Sequence, residues 1–340
     1  MFWLLACGFQ PIRHEDRASA WLEFHDDLDQ AVADASEWGL DLNLAMERDT
    51  HGMDRFRTVC ALAEQHDVGL KVWPLLPTEE GYWPNQGNTA EFAEWTWELV
   101  DVARDDCDNL DGVVVDMEMP YDRAMALQEM IDEGASDIEV ASFLVETIDE
   151  EGFEQARQDY EELTLALQEE GLRVHLTTLP MIADDLADGD ETLALAFWTP
   201  VQDISWDIAS VQVYRSFFQS TLASSLEDPT QEFTSGLVTS YAETMVEHFG
   251  DAAALDLGTT GAVGIGVEAG LSEEELQSDL AAALAFVSPD HIAIYSLEGL
   301  DEHDDPAASL RLPAPHAPEP DAATLEIRDV YATLDALRDD

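Results

Sequence analysis

Short β-rich apolar runs alternate with longer helical stretches over most of this 340-residue chain, and that alternation constrains the fold more than any other feature. "SAWLEFH" (19–25), "LDLNLAM" (40–46), "GLKVWPLLP" (69–77) and "DGVVVDME" (111–118) read as four strands. "LRVHLTTLP" (172–180), "IASVQVYRS" (208–216), "AVGIGVE" (262–268) and "HIAIYSLE" (291–298) read as four more. Helical patterns fall between them: one ending on Gly39, others at 51–67, about 89–106, 121–134, 137–170 and 231–249, and a last one at about 322–338. "LSEEELQSDLAAALAFV" has an N-cap at Ser272 and acids in its first turn. Strands joined through helices pair in parallel, and runs such as "GVVV" suit strands covered on both faces. Eight such units predict a single (β/α)8 TIM barrel over residues 19–340. A doubly wound open sheet would carry a glycine-rich phosphate loop after its first strand, and "FHDDLD" is nothing of that kind.

The charge narrows the partners. The chain has 74 acidic residues against 14 basic ones, for a net charge of −60, and its one lysine is Lys71. Phosphate binding needs a basic footprint, so nucleic acid is excluded as a partner, and an anionic membrane surface is disfavoured. The acids are spread along the chain and are not gathered in a tail. This favours a surface adapted to high salt, where screening shortens the reach of self-repulsion; a merely acidic proteome is the alternative. A monomer is expected.

Residues 1–18 precede the first strand. "MFWLLACG" resembles the end of a lipoprotein signal with Cys7 as the lipidated residue, although a signal has a basic n-region and a longer apolar core. On that reading the protein is extracellular or held at the cell surface through a lipid on Cys7; the alternative is an apolar first segment of a cytoplasmic protein. Truncation before about Arg17 is expected to leave the fold intact. The three cysteines, Cys7, Cys60 and Cys107, form no CxxC and no Cys/His cluster with metal spacing. Cys60, in the run "TVCALAE", reads as a small core residue. The histidines are scattered, so no metal site and no cofactor is expected.

Active sites of (β/α)8 barrels lie at the C-terminal ends of the strands. In "DGVVVDMEMP" the acids Asp116 and Glu118 are two apart, so along a strand they point the same way. With Val113 and Val115 against the helices, Val114, Asp116 and Glu118 face the barrel interior. Two carboxylates brought together have their pKa values pushed apart, which lets one act as a general acid near neutrality. The competing reading is a capping cluster for the following helix.

The same stretch resembles the strand-four signature of glycoside hydrolase family 18, the chitinases and their relatives: Asp-Gly, apolar, Asp, apolar, Asp, any, Glu. Asp111, Gly112, Asp116 and Glu118 match, whereas Val114 stands where the family has its first inner aspartate. The resemblance implies that Glu118 is the acid. It also implies that Asp116 orients the substrate's acetamido group, whose carbonyl oxygen is the nucleophile. At strand six the family has Met-any-Tyr-Asp; here "QVYR" keeps Tyr214 but has Gln212 and Arg215. Tyr295 is the residue nearest the family's tryptophan floor at strand eight. Some relatives with altered signatures are non-catalytic lectin-like proteins.

Other strand ends add candidates for substrate binding. Strand one offers Glu23 and His25, the latter more simply a structural histidine. Trp73, Tyr82 and Trp83 lie in "WPLLPTEEGYWPNQGN", outside any helical spacing. Aromatics on such a loop suit stacking on sugar rings, and a hydrophobic plug is the bland alternative. Glu268 and Glu298 end strands seven and eight. A retaining glycosidase using Glu118 and Glu268 would hold the two carboxyls ~5–5.5 Å apart, but such enzymes have an asparagine where Met117 stands here. Glu268 could equally open the capped turn "EAGLSEEE". The expected function is a carbohydrate-active hydrolase cleaving glycosidic bonds in an oligosaccharide or polysaccharide, with Asp116, Glu118 and Tyr214 at its centre and Glu118 carrying a raised pKa beside an ionised Asp116. The alternative is a sugar-binding barrel without turnover.

Overall fold

The computed structural model describes residues 9, 11–223, 226–261 and 270–336. Eight parallel strands close into a barrel in sequence order, β1 pairing with both β2 and β8. They are β1 (Ser19–Leu22), β2 (Asp41–Glu47), β3 (Leu70–Leu75), β4 (Leu110–Met117), β5 (Arg173–Thr178), β6 (Ile208–Val213), β7 (Ala253–Gly258) and β8 (Ile292–Tyr295). The chain is therefore a (β/α)8 TIM barrel.

Seven strands fall where the periodicity places them. The seventh does not: β7 is "AALDLG" at 253–258, upstream of the predicted 262–268, which lies outside the described residues. The reason is the polarity of this barrel's interior. Leu255 and Leu257 of β7 pack outward into the main core, while Asp256 points inward. The strand therefore alternates, whereas "AVGIGV" offers the continuous apolar run of a strand buried on both faces.

The helices follow local signals. α1 (Leu28–Trp38) starts on the side chain of Asp27, which accepts from the Gln30 amide, and stops at Gly39, whose φ of 72° is left-handed. α2 (Met53–His66) and α3 (Thr89–Asp106) follow β2 and β3. After β4 the chain forms α4 (Tyr121–Asp132), α5 (Asp137–Val145) and α6 (Glu150–Glu169). The single helix expected over 137–170 is thus two, because Asp149 caps a new N-terminus by accepting from Gly152 N and places Glu150 and Glu151 in the first turn. Two short helices, α7 (Pro180–Asp188) and α8 (Thr192–Phe197), precede β6. Ser272 and Glu275 form a capping box before the helix Glu273–Ala283.

Two apolar clusters divide the inside of the barrel from its wall. Outward residues such as Leu44, Val72, Val113, Val115, Leu176 and Val211 join the helices in the main core. A smaller cluster fills the barrel near its mouth: Trp21, Ala45, Trp73, Leu75, Val114, Tyr214, Ala293 and Tyr295. Below it the interior is polar, with Lys71, Asn43, His175, Ser210, Thr177 and Asp256 all buried.

The N-terminal ends of the strands are closed by ion pairs. Asp111 at the start of β4 is bound by both Arg173 and Arg13, and His14 pairs with Asp41 at 2.9 Å. Residues 13–17 therefore hold the bottom of the barrel, and truncation before Arg17 would leave the buried Asp111 with Arg173 alone of these two arginines. A side chain at Gly112 would run into the Arg173 carbonyl of the neighbouring strand, so the Asp-Gly pair is a packing requirement of the barrel's base. Cys60 and Cys107 are joined by a disulfide that ties α2 to the end of α3. Cys60 is a core residue as expected from its neighbours, but not a free one.

Candidate active site

Asp116 lies in the last turn of the β4 pleat and Glu118 just beyond the strand's end, both facing the interior above Val114 as the period of two requires. Gln212 on β6 reaches across and donates to both: its Nε2 is 3.0 Å from Asp116 Oδ1 and 2.7 Å from Glu118 Oε1. Burial pushes the Glu118 carboxyl up to about 7, against the hydrogen bonds from Gln212 and Asp116 that favour its charge. Asp116 is deeper and is raised well above the usual carboxylate range, by burial first and then by the charges of Glu118, Asp256 and Glu23. Both members of the pair are thus pushed up by burial.

A second carboxyl stands at the end of β1. Glu23 is 7% exposed, and its two oxygens accept from two tyrosines, Tyr82 Oη at 3.0 Å and Tyr295 Oη at 2.8 Å. Burial raises its pKa to about 7 in spite of those bonds. Tyr82 belongs to the β3–α3 loop and takes a left-handed φ of 62°. Its ring meets Trp83 edge-on at 5.0 Å, and Tyr121 at the start of α4 packs against both, at 6.1 and 5.9 Å. These three rings form a partly exposed aromatic platform beside the mouth. Tyr214 is buried beneath it and stacks on Tyr295 at 5.5 Å. Its phenol is held well above its usual range by burial and by the charges of Asp256 and Asp116.

The other candidates divide. Trp73 is not a loop aromatic: it is an inward residue of β3, 3% exposed, and meets Trp21 edge-on at 4.7 Å. The plug reading holds for it, because the strand runs on to Leu75. Arg215 turns away from the interior to pair with Asp279, Nε to Oδ2 at 3.1 Å, on the helix Glu273–Ala283. Glu298 uses Oε1 to accept from the backbone amides of Glu23 and Phe24 at 2.9 and 2.8 Å, so it fixes the end of β1. His25 faces Asp301 at 3.7 Å and accepts from the Asp27 amide, a structural histidine. Glu268 lies outside the described residues. Three residues were missed: Asp256, Tyr121 and Trp21. Trp21 shared the period of two with Glu23 in "SAWLEFH" and could have been read from it. Tyr121 and Asp256 come together only through the fold.

Among the described residues no group of three or more His, Cys, Asp or Glu side chains is arranged to hold a metal ion. What the site offers is proton chemistry: carboxyls poised near neutrality, a bridging amide and an aromatic platform.

No protein-family model and no curated protein matches the chain. Solved structures do resemble it. The glycoside hydrolase domain of PgaB (BpsB) from Bordetella bronchiseptica superposes with a TM-score of 0.54 at 12% identity, over 88% of this chain and 99% of that one. D-psicose 3-epimerase from Clostridium cellulolyticum H10 gives 0.43 at 11% identity, over 95% and 98%. The β-mannanase of Thermomonospora fusca gives 0.43 at 14%, over 82% and 78%. At these identities the likeness is one of fold.

Proposed function

We propose that this barrel is a carbohydrate-active hydrolase that cleaves glycosidic bonds, with Glu118 as general acid, Asp116 as its assisting carboxylate and Tyr214 beside them. The observation that carries the reading is the Gln212-bridged pair of Asp116 and Glu118 at the mouth of the barrel, both pushed above the usual carboxylate range by burial. The partly exposed platform of Tyr82, Trp83 and Tyr121 supports a sugar as the ligand, since such rings stack on the apolar faces of pyranoses.

The pair suits a substrate-assisted route. With both carboxyls raised by burial, the pair shares a proton in the free protein. A 2-acetamido group entering the site would donate its N–H to Asp116, which favours the ionised form and leaves the proton on Glu118. The acetamido carbonyl oxygen then attacks the anomeric carbon while Glu118 protonates the departing glycosidic oxygen. The now ionised Glu118 next takes a proton from the water that opens the cyclic intermediate, and the pair is restored. The disulfide between Cys60 and Cys107 supports an oxidising, extracellular setting, since such bonds persist there, and the charge of −60 supports a saline one.

A panel of glycosides with and without 2-acetamido groups tests the proposal. Glu118→Gln is expected to lower turnover by ~10²–10⁴ while leaving binding in place. Cleavage confined to acetamido sugars is expected on the route above. Binding without hydrolysis of any member would replace this reading with that of a lectin-like barrel.

A further inference from the structure

Asp256 is a buried titratable group that the chemistry above does not use. It is 0% exposed, inside the barrel on β7, directly across from Gln212 in the strand register. One of its oxygens, Oδ2, accepts from two hydroxyls, Thr177 Oγ1 on β5 and Ser210 Oγ on β6, the latter at 2.8 Å. The other, Oδ1, is buried and accepts no hydrogen bond among the described residues. Thr177 is the strand partner of Asp116, so the hydroxyl that binds Asp256 belongs to the residue beside the catalytic pair. A core needing only to fill this volume would do so with an apolar or amide side chain. A carboxyl with one satisfied oxygen and one bare one is costly to bury, and the two hydroxyls on Oδ2 favour its ionised form as pH rises.

We propose that Asp256 is a third carboxyl of the site, a positioning residue that acts through its charge on Asp116 and, through Asp116, on Glu118. This rests on the reading of Asp116 and Glu118 as the working pair. The groups facing Asp256 set the sign of the effect. Asp116 of β4 and Tyr214, just past the end of β6, face its charge. Lys71 of β3 favours its ionised form. His175 of β5, bonded to Ser210 at 3.0 Å, is held well below its usual range by burial and by Lys71, so it stays neutral. Ionised Asp256 places a like charge under Asp116 and strengthens its hold on the proton. The pair therefore keeps its proton to higher pH than two isolated carboxyls would, and the alkaline limit of activity follows the charge on Asp256.

The test uses the full chain in molar salt. Asp256→Asn keeps the shape and removes the charge. The alkaline limb of the pH–rate profile on an acetamido glycoside is expected to move to lower pH by about one pH unit. Titration of the ¹³C-labelled Asp116 and Glu118 carboxyls by NMR is expected to move in the same direction, and this readout does not depend on turnover. Ser210→Ala, which withdraws a donor from the ionised Asp256, is a milder variant expected to shift both readouts the same way, and it decides the matter if Asp256→Asn does not fold. A carboxyl titration unmoved in both variants overturns the proposal and leaves Asp256 a packing residue. If the wild type hydrolyses no glycoside, the reading of function fails, and the carboxyl titration still decides the role of Asp256.

Discussion

At the scale of single residues the "DGVVVDME" stretch serves two ends of the barrel at once. Asp111 and Gly112 belong to its base, one neutralising Arg13 and Arg173 and the other letting β5 pass close by. Asp116 and Glu118 belong to its mouth. Their direction was legible because side chains alternate along the regular part of the strand, from Val113 to Met117, past the irregularity at Asp111. The bond between Glu23 and Tyr82 was not legible, since it joins residues 59 apart in sequence through a left-handed turn that only the folded loop defines. That bond carries a prediction. Glu23→Gln retains the shape but loses the charge that accepts from two tyrosines, so the platform loosens. Affinity for an oligosaccharide is expected to fall by ~10- to 100-fold, in line with ~1.5–3 kcal/mol for hydrogen bonds to charged groups, with kcat changed much less. Titration of bound oligosaccharide by calorimetry, beside kcat and KM, checks this; a loss confined to kcat would instead make Glu23 part of the proton chemistry.

At the scale of elements, seven of the eight strands were legible and the seventh was misplaced, for one reason. Sequence patterns mark a strand buried on both faces by its continuous apolar run, and β7 spends its inward positions on Ala254, Asp256 and Gly258. The strand that the pattern undervalues is the one that delivers a buried carboxyl. The break between α5 and α6 was written in "IDEEG", an N-cap with acids after it, and was obscured by the helical periodicity on either side. The Cys60–Cys107 bridge shows the opposite limit: neither spacing nor neighbours mark two cysteines 47 residues apart as partners. It fixes α2 against the end of α3 on the wall beneath the platform-bearing loop. Replacing both cysteines by alanine is expected to lower unfolding stability by about 2–4 kcal/mol, read from denaturant unfolding in molar salt. A variant pair as stable as the parent would mean that the helices are held by packing alone.

At the scale of the whole molecule, 60 uncompensated charges repel within one compact body. Thermal midpoints are expected to fall as salt is lowered from molar to millimolar; equal midpoints would remove the saline interpretation. In molar salt, where that repulsion is screened, the buried carboxyls come into view. Glu23, Glu118 and Asp256 each titrate near 7 in the folded protein, above the ordinary carboxylate range. Between about pH 4 and pH 7 the folded chain keeps protons that the unfolded chain has released. Their stabilisation is therefore complete below about pH 4, is lost as pH rises through about 7, and changes little above that. Melting midpoints across this range check the sign, and Asp256→Asn should flatten part of the slope. The clasp of Arg13 and His14 on the base of the barrel gives the molecule a heading. Residues 13 and 14 lie on the face opposite the mouth, so a label or surface attached there would approach the barrel from its base and leave the opening unobstructed.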